Sequence, residues 1–105
     1  MADAQRFRGA IVVGKGFLER GDSFAAFGAF KRASCLAAND DERELAHGLA
    51  HLAAAAHRHQ LDDPAAARRQ LCHAERRLTS DARKAITVDV EPLIVLVDTF
   101  VNSGG

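Results

Sequence analysis

The sequence predicts an all-α fold, a compact array of about five helices with the third helix, roughly residues 41–60, at its centre. Alanine and arginine dominate the 105 residues, and both favour helices. Apolar residues recur every three or four positions along several segments, as they do on the buried face of a helix. We find no flexible linker and no shift in amino-acid composition that would mark a second domain, so residues 1–105 are expected to form a single all-helical domain.

The first two helices are predicted at about Ala4 to Arg20 and about Ser23 to Ala38. Gly21 suits the turn between them, and Asp22 or Ser23 is expected to cap the second helix by accepting a backbone N–H. Apolar or small residues at helical spacing are Phe7, Ala10, Ile11, Gly14, Phe17 and Leu18 in the first helix, and Phe24, Phe27 and Phe30 in the second.

The third and longest helix is predicted at about Asp41 to Gln60, with Asp40 as its cap. Asp62 or Asp63 is expected to cap a fourth helix that ends near Thr79. Pro64 lies just inside its start, where a missing N–H costs little.

Residues 86–88, "ITV", are predicted to form a short extended link before a last helix at about Val90 to Asn102, capped by Asp89. The predicted core of the whole domain comprises Phe7, Phe17, Phe24, Phe27, Phe30, Leu45, Leu49, Leu52, Leu71, Leu78, Leu93, Ile94, Val97 and Phe100. Val12, Val13 and Val95 fall outside these apolar faces and are expected to be exposed, where they would mark a contact surface.

Charge and cysteine content exclude several classes of function. Fourteen basic residues balance fourteen acidic ones, so no overall field attracts nucleic acid or an anionic membrane. The most apolar run, "PLIVLVDTFV", is too short to span a bilayer and contains Asp98. The first nine residues lack an apolar signal core, and the two cysteines, Cys35 and Cys72, show neither disulfide-framework nor zinc-site spacing. We therefore expect a cytoplasmic protein.

Four of the five histidines fall between His47 and His59. At about 100° per residue, Glu44, His47 and His51 share one polar stripe roughly opposite the leucine face of the third helix, whereas the other two lie on different flanks. Histidines four residues apart can hold one metal ion, so Glu44, His47 and His51 are the candidate metal ligands. The further carboxylates of a di-iron bundle and the HExxH order are absent, which favours an ordinary polar stripe.

Two other patterns resemble ligand sites. Residues 9–16, "GAIVVGKG", nearly spell a phosphate-binding loop, but Gly16 replaces the magnesium-binding hydroxyl and no strand can precede it. The pattern also fits a closely packed helix. On the fourth helix, Arg69, His73 and Arg76 share a stripe that would contact an anion or an acidic partner. Since no aromatic residues or helix-turn-helix pattern accompany it, a solvated arginine face is the favoured interpretation.

Catalysis is not indicated by any constellation in the sequence. Cys72 and His73 are adjacent and would diverge by about 100° on a helix. Hydroxyl residues such as Ser23 and Ser34 lack the elbow motif of a serine nucleophile. We predict neither catalytic residues nor an organic cofactor.

The segment from Arg43 to Leu78 resembles a family of small prokaryotic helical proteins, domain-of-unknown-function family 309. The matching positions are Gly48, Leu49, Ala53, Ala54 and His57, followed by Asp63, Pro64, Ala66 and Ala67 at the turn. "FLERGDSFAAF" and "ITVDVEPLIVLV" resemble the family's other two stretches. Phe27 and Gly28 occupy the positions of the family's histidine–glutamate pair. The resemblance implies a helical fold and no particular activity. A generic helical-hairpin repeat is the structural alternative.

Three functions stay open at this point, of which the least favoured is an accessory role in nucleic-acid binding through the arginines of the fourth helix. The first is a non-catalytic helical protein that oligomerises or docks a protein partner, because a small domain with much apolar surface lacks a catalytic constellation. The second is a protein that binds a metal or a small ligand at Glu44, His47 and His51.

Overall fold

The computed structural model describes residues 2–103 and, within them, contains helices and no strands. Their bounds are α1 Ala2–Glu19, α2 Ser23–Leu36, α3 Asp40–Gln60, α4 Pro64–Arg77, α5 Ser80–Arg83 and α6 Glu91–Ser103. The all-α prediction is confirmed. No helix in this range combines the length and apolarity needed to cross a bilayer.

The central position of the third helix is also confirmed. Successive helices α1, α2, α3 and α4 pack as neighbours, and α5 and α6 return to pack against α3. The face of α3 is rich in buried alanine, which lets the neighbouring backbones approach closely: the residues are Ala46, Ala50, Ala53, Ala55 and Ala56. The molecule measures 44 × 23 × 19 Å along its principal axes.

Two of the connections are built in the same way. Gly21, at φ 83°, and Asp62, at φ 60°, both adopt the left-handed conformation directly after a helix. Each is followed by the aspartate that caps the next helix: Asp22 accepts from Ala25 N at 3.2 Å, and Asp63 accepts from Ala66 N at 3.1 Å. The 6→1 bonds of a Schellman motif close both helix ends, so three residues, the last of them the cap of the next helix, suffice for each connection.

Gln60 fastens the end of α3 to the α1–α2 turn. Its side-chain oxygen accepts from the Ser23 hydroxyl, and its nitrogen donates to the Gly21 carbonyl at 3.0 Å. Ser23 is 1% exposed, so this bond satisfies its buried hydroxyl.

Some predicted boundaries were wrong. A sixth, four-residue helix, α5, follows α4, because Thr79 ends no helix but caps the next one by accepting from Ala82 N at 3.2 Å. The cap of α3 is Asn39 rather than Asp40, and it accepts from Glu42 N at 2.9 Å. Residues 86–88 lie in a bent connection. Asp89 does accept from Glu91 N, at 3.1 Å, at the start of α6.

Three phenylalanines assigned to the core are exposed instead. Phe24 is 72% exposed, Phe27 37% and Phe100 38%. Phe24 lies about 120° around α2 from the fully buried Phe30, so one helix cannot bury both against the same neighbour. The other predicted core residues are buried or, in the case of Phe17 and Ile94, half-buried against the core. Val12, Val13 and Val95 are exposed, as predicted.

Candidate functional site

The predicted metal ligands lie at the seam where α3 packs against α4. Gly48 permits this approach, because a Cβ at its position would lie 2.6 Å from Leu78 Cγ. The close approach brings Arg77 beside Glu44, and their nitrogen and oxygen atoms are 3.1 Å apart. Both side chains are about 40% exposed, so the ion pair contributes less than about 1 kcal/mol.

His51 also bonds across the seam. Its Nδ1 lies 2.7 Å from Gln70 Oε1, and its ring centroid lies 5.3 Å from that of His73. Because an amide oxygen can only accept, His51 Nδ1 is the donor of this bond. The seam thus holds the imidazole in one orientation through an amide rather than through a carboxylate.

His47 lies one turn before His51 and is half-buried. Partial burial lowers the pKa of His47 below its usual value, and the nearby cations Arg77 and Lys31 lower it further. Glu44 opposes this shift but does not outweigh it. The imidazole is therefore biased towards its neutral form.

The seam does not gather a metal-ligand set. Across residues 2–103, no three His, Cys, Asp or Glu side chains come together in a way that could hold an ion. Glu44 is paired with Arg77, and His51 is bonded to Gln70. His57 and His59 point to other flanks, where they pack against Phe24 and Phe100. The four clustered histidines thus contact three different neighbouring helices.

The arginine stripe of α4 is exposed. Arg69 and Arg76 both face solvent, and neither takes part in an ion pair with another described residue. His73, the third member, lies beside His51 at the seam. The three residues therefore remain available to an anion or an acidic partner, although the structure adds no polar pocket to hold one.

The near-match to a phosphate loop is part of a helix. Residues 9–16 lie within α1, so their N–H groups bond along the helix instead of surrounding a ligand. Gly14 packs against the Phe30 ring, as the close-packing interpretation predicts, whereas Gly9 faces open space.

The outer face of α6 is the largest departure from the predicted surface. We use this name for Pro92, Val95, Leu96, Thr99 and Phe100, which line one side of the helix. Leu93, Val97 and Val101 are buried on the opposite side. Val95 is 61% exposed and Leu96 45%, so α6 presents apolar side chains both to the core and to solvent. Apolar residues extend round much of α6 and leave the side of Glu91, Asp98 and Asn102 polar, and a helix with so wide an apolar surface normally has more than one buried face. This width is the signal in "PLIVLVDTFV".

A pocket of about 150 Å³ lies beneath α6, between the α1–α2 turn and the end of α3. Leu18, Ala56 and Val97 form much of its wall, Ser23 and Gln60 in its lining bond to each other, and Glu19 also lines it. It is smaller than typical small-molecule sites, which span roughly 300–1,000 Å³.

A second, shallower apolar patch lies between α2 and α3, where Phe24, Phe27, Ala54 and His57 meet. The Phe24 and His57 rings are 5.7 Å apart. This patch and the outer face of α6 lie on different flanks of α3. His57 belongs to the patch, His59 packs against Phe100 of α6, and the two histidines differ by about 200° around α3.

Comparison of the chain with models of protein families, with curated proteins and with solved structures found no match.

Proposed function

We propose that this chain is a cytoplasmic, non-catalytic interaction protein that docks another protein on the outer face of α6. The observation that carries the proposal is the two-sided apolarity of α6. Leu93 and Val97 are at most 1% exposed, while Val95 and Leu96 on the other side stay in contact with water. Exposed apolar residues that cluster on one helix are typical of protein contact surfaces.

A partner that covers the outer face of α6 would bury apolar side chains at a small cost in conformational entropy. The outer face of α6 spans about two turns of helix and carries a β-branched, a γ-branched and an aromatic side chain, which lose little conformational entropy when buried. Its acidic neighbours, Glu91 and Asp98, lie at the edge rather than among the apolar groups. An apolar centre with a charged rim is the usual anatomy of a protein–protein interface.

The groups that support a non-catalytic role are the candidate nucleophiles and bases. The Ser23 hydroxyl is buried and donates to Gln60, and the ring nitrogen of His51 is bonded to Gln70. Cys35 and Cys72 are exposed thiols. These groups stabilise the fold or face solvent, and we propose that none of them takes part in a reaction.

The test compares a face variant with a matched surface variant. Val95→Gln combined with Leu96→Gln removes apolar area from the outer face without adding charge, and Val12→Gln makes the same kind of change on α1. The association of each protein is measured by sedimentation velocity, and its binding partners are captured by cross-linking in a cell extract. We expect the double variant, and not Val12→Gln, to lose self-association or a specific partner. A wild-type chain that remains monomeric and captures no α6-dependent partner would refute the proposal.

A further inference from the structure

The zero net charge conceals an uneven distribution of charge along the chain. From the start of α1 to the end of α2, residues 2–36 carry six basic and three acidic residues. The basic residues are Arg6, Arg8, Lys15, Arg20, Lys31 and Arg32, and the acidic ones are Asp3, Glu19 and Asp22. Residues 85–105, which include α6, contain three acidic residues and no lysine or arginine. The α1–α2 segment is therefore net basic, and the segment that includes α6 is net acidic.

The basic end also carries a groove. It lies between α1 and α2 on the side away from the core and has a volume of about 400 Å³. Its lining residues are Arg6, Ala10, Val13, Ala29, Arg32 and Leu36. The floor is apolar, with Val13 51% exposed, and an arginine comes from each helix. Arg32 makes no ion pair within the described part of the chain.

The outer face of α6 has the complementary pattern. Val95 lies midway along its length, on the side next to the acidic edge, and Glu91 and Asp98 lie seven residues apart along that edge, two turns from each other. Arg83 already pairs with Glu91 at 2.7 Å, whereas Asp98 accepts only from the Asn102 amide, at 2.9 Å. The carboxylate of Asp98 thus has acceptor capacity left for a cation from outside the molecule.

The dimensions of the two surfaces also agree. Arg6 to Val13 and Ala29 to Leu36 each extend about 10 Å along their helices, which is the length of two helical turns and the separation of Glu91 from Asp98. An amphipathic helix that lies in an apolar groove is a common mode of protein recognition. Because α6 packs mainly on α3 and α4 of its own chain, it does not occupy this groove itself.

We propose that the partner of the α6 face is a second copy of this chain, whose α1–α2 groove receives α6 with Asp98 beside Arg32. The inference rests on the proposed docking role of α6 and adds the identity of its partner. Since the face and the groove are different surfaces, every docked copy still offers one of each. Such contacts continue into open chains or close into rings, the smallest of which is a two-fold dimer with two reciprocal contacts.

Charge reversal at each side of the contact tests the inference. Asp98→Lys makes both surfaces basic, and Arg32→Glu makes both acidic, so neither variant should associate with itself. Mixed together, the two variants present opposite charges at every contact and should associate again. Glu75→Lys and Arg68→Glu make the same charge changes at exposed positions of α4 and serve as controls.

Sedimentation velocity over a range of concentrations at low ionic strength provides the measurement. We expect the weight-average mass of the wild type to rise beyond that of a monomer, and each single reversal to weaken association by about tenfold or more. The equimolar mixture should return to within about threefold of the wild-type affinity, and added salt should weaken the wild type. The two control variants should behave as the wild type does.

The outcomes separate this inference from the proposal on which it rests. Association that Arg32→Glu leaves intact, while Val95→Gln with Leu96→Gln removes it, would refute docking in the groove and retain the α6 face. A strictly monomeric wild type that captures a foreign partner through α6 would likewise refute docking in the groove and retain the α6 face. Loss of association in both reversals without recovery in the mixture would also contradict the inference.

Discussion

Gly14 of α1 lies directly against the ring of Phe30 in α2: a Cβ added to Gly14 would lie 2.4 Å from Phe30 Cε1. Phe30 is fully buried, so its ring cannot move aside into solvent. The packing of the first two helices therefore depends on the absence of one side-chain atom.

We expect Gly14→Ala to lower the free energy of unfolding by about 1–2 kcal/mol, since the cost of overpacking exceeds the gain in helix propensity. Gly9→Ala is the matched control in the same helix, because no atom lies within 4 Å of its added Cβ. That variant should be more stable than the wild type by up to about 1 kcal/mol. Urea denaturation of the three proteins measures both effects, and equal stabilities would contradict the close-packing explanation.

The two left-handed turn residues lead to opposite predictions. Replacing Gly21 by alanine puts a Cβ at φ 83°, which should destabilise the protein by about 1 kcal/mol. Replacing Asp62 by glycine removes a Cβ at φ 60° and should stabilise it by about 0.5–1 kcal/mol, after allowance for the greater freedom of the unfolded chain. Thermal unfolding followed by circular dichroism provides the comparison. Asp62→Val, the control with a β-branched residue, should be less stable than the wild type, and a higher melting temperature for it would contradict the interpretation.

The lowered pKa of His47 predicts a loss of stability in mild acid. The unfolded chain takes up a proton near pH 6.5, whereas the folded chain does so only at lower pH, so unfolding binds protons between the two values. The free energy of unfolding should therefore fall as the pH decreases through about 6.5, and should level off below the pKa of the folded state. Denaturation of the wild type and His47→Gln between pH 7.5 and 5 is the measurement (~0.5 pH steps).

His47→Gln should show a smaller decrease over this range. Arg68→Gln, which removes an exposed cation from the start of α4, should follow the wild-type curve. If the slopes of the wild type and His47→Gln coincide, another group is responsible for the acid sensitivity.

Zinc should have little effect on the stability of the chain. To bind an ion at Glu44, His47 and His51, the protein would have to break the Glu44–Arg77 ion pair and reorient an imidazole held by Gln70. We expect the melting temperature of untagged protein to change by less than about 1 °C on addition of equimolar zinc, since metal that binds only the native state would raise it. A larger rise that His51→Gln abolishes would instead support the metal-binding alternative.

Local signals in the sequence predicted much of the fold. Asp22 and Asp63 are helix caps because a short carboxylate before an apolar-periodic segment accepts an exposed backbone N–H, an interaction that needs no distant residue. The same holds for Gly21 in its turn and for Pro64 at the start of α4. The sequence placed Thr79 at the end of the fourth helix, whereas it caps α5. A threonine can either end one helix or begin another, and only the packing of Ala82 decides between them.

The candidate site was predicted less well. The sequence placed Glu44, His47 and His51 on one stripe of α3, but it did not show that Arg77 and Gln70 would meet them there. These contacts depend on the path of α4, which Gly48 and Leu78 set from opposite sides of the seam. Nor did periodicity distinguish Phe100 from Val97, because the apolar surface of α6 is wide and only its neighbours decide which part of it is covered.

By itself, the sequence determined that the chain is helical, where most of its helices begin and end, and that its core helix is rich in alanine, because caps, turns and periodicity act over a few neighbouring residues. Only the tertiary structure decided which apolar side chains remain in water and which polar side chains meet across a seam. Those outcomes depend on how closely two helices approach each other, and a single glycine against a buried ring, as at Gly14 and Phe30, is enough to set that distance.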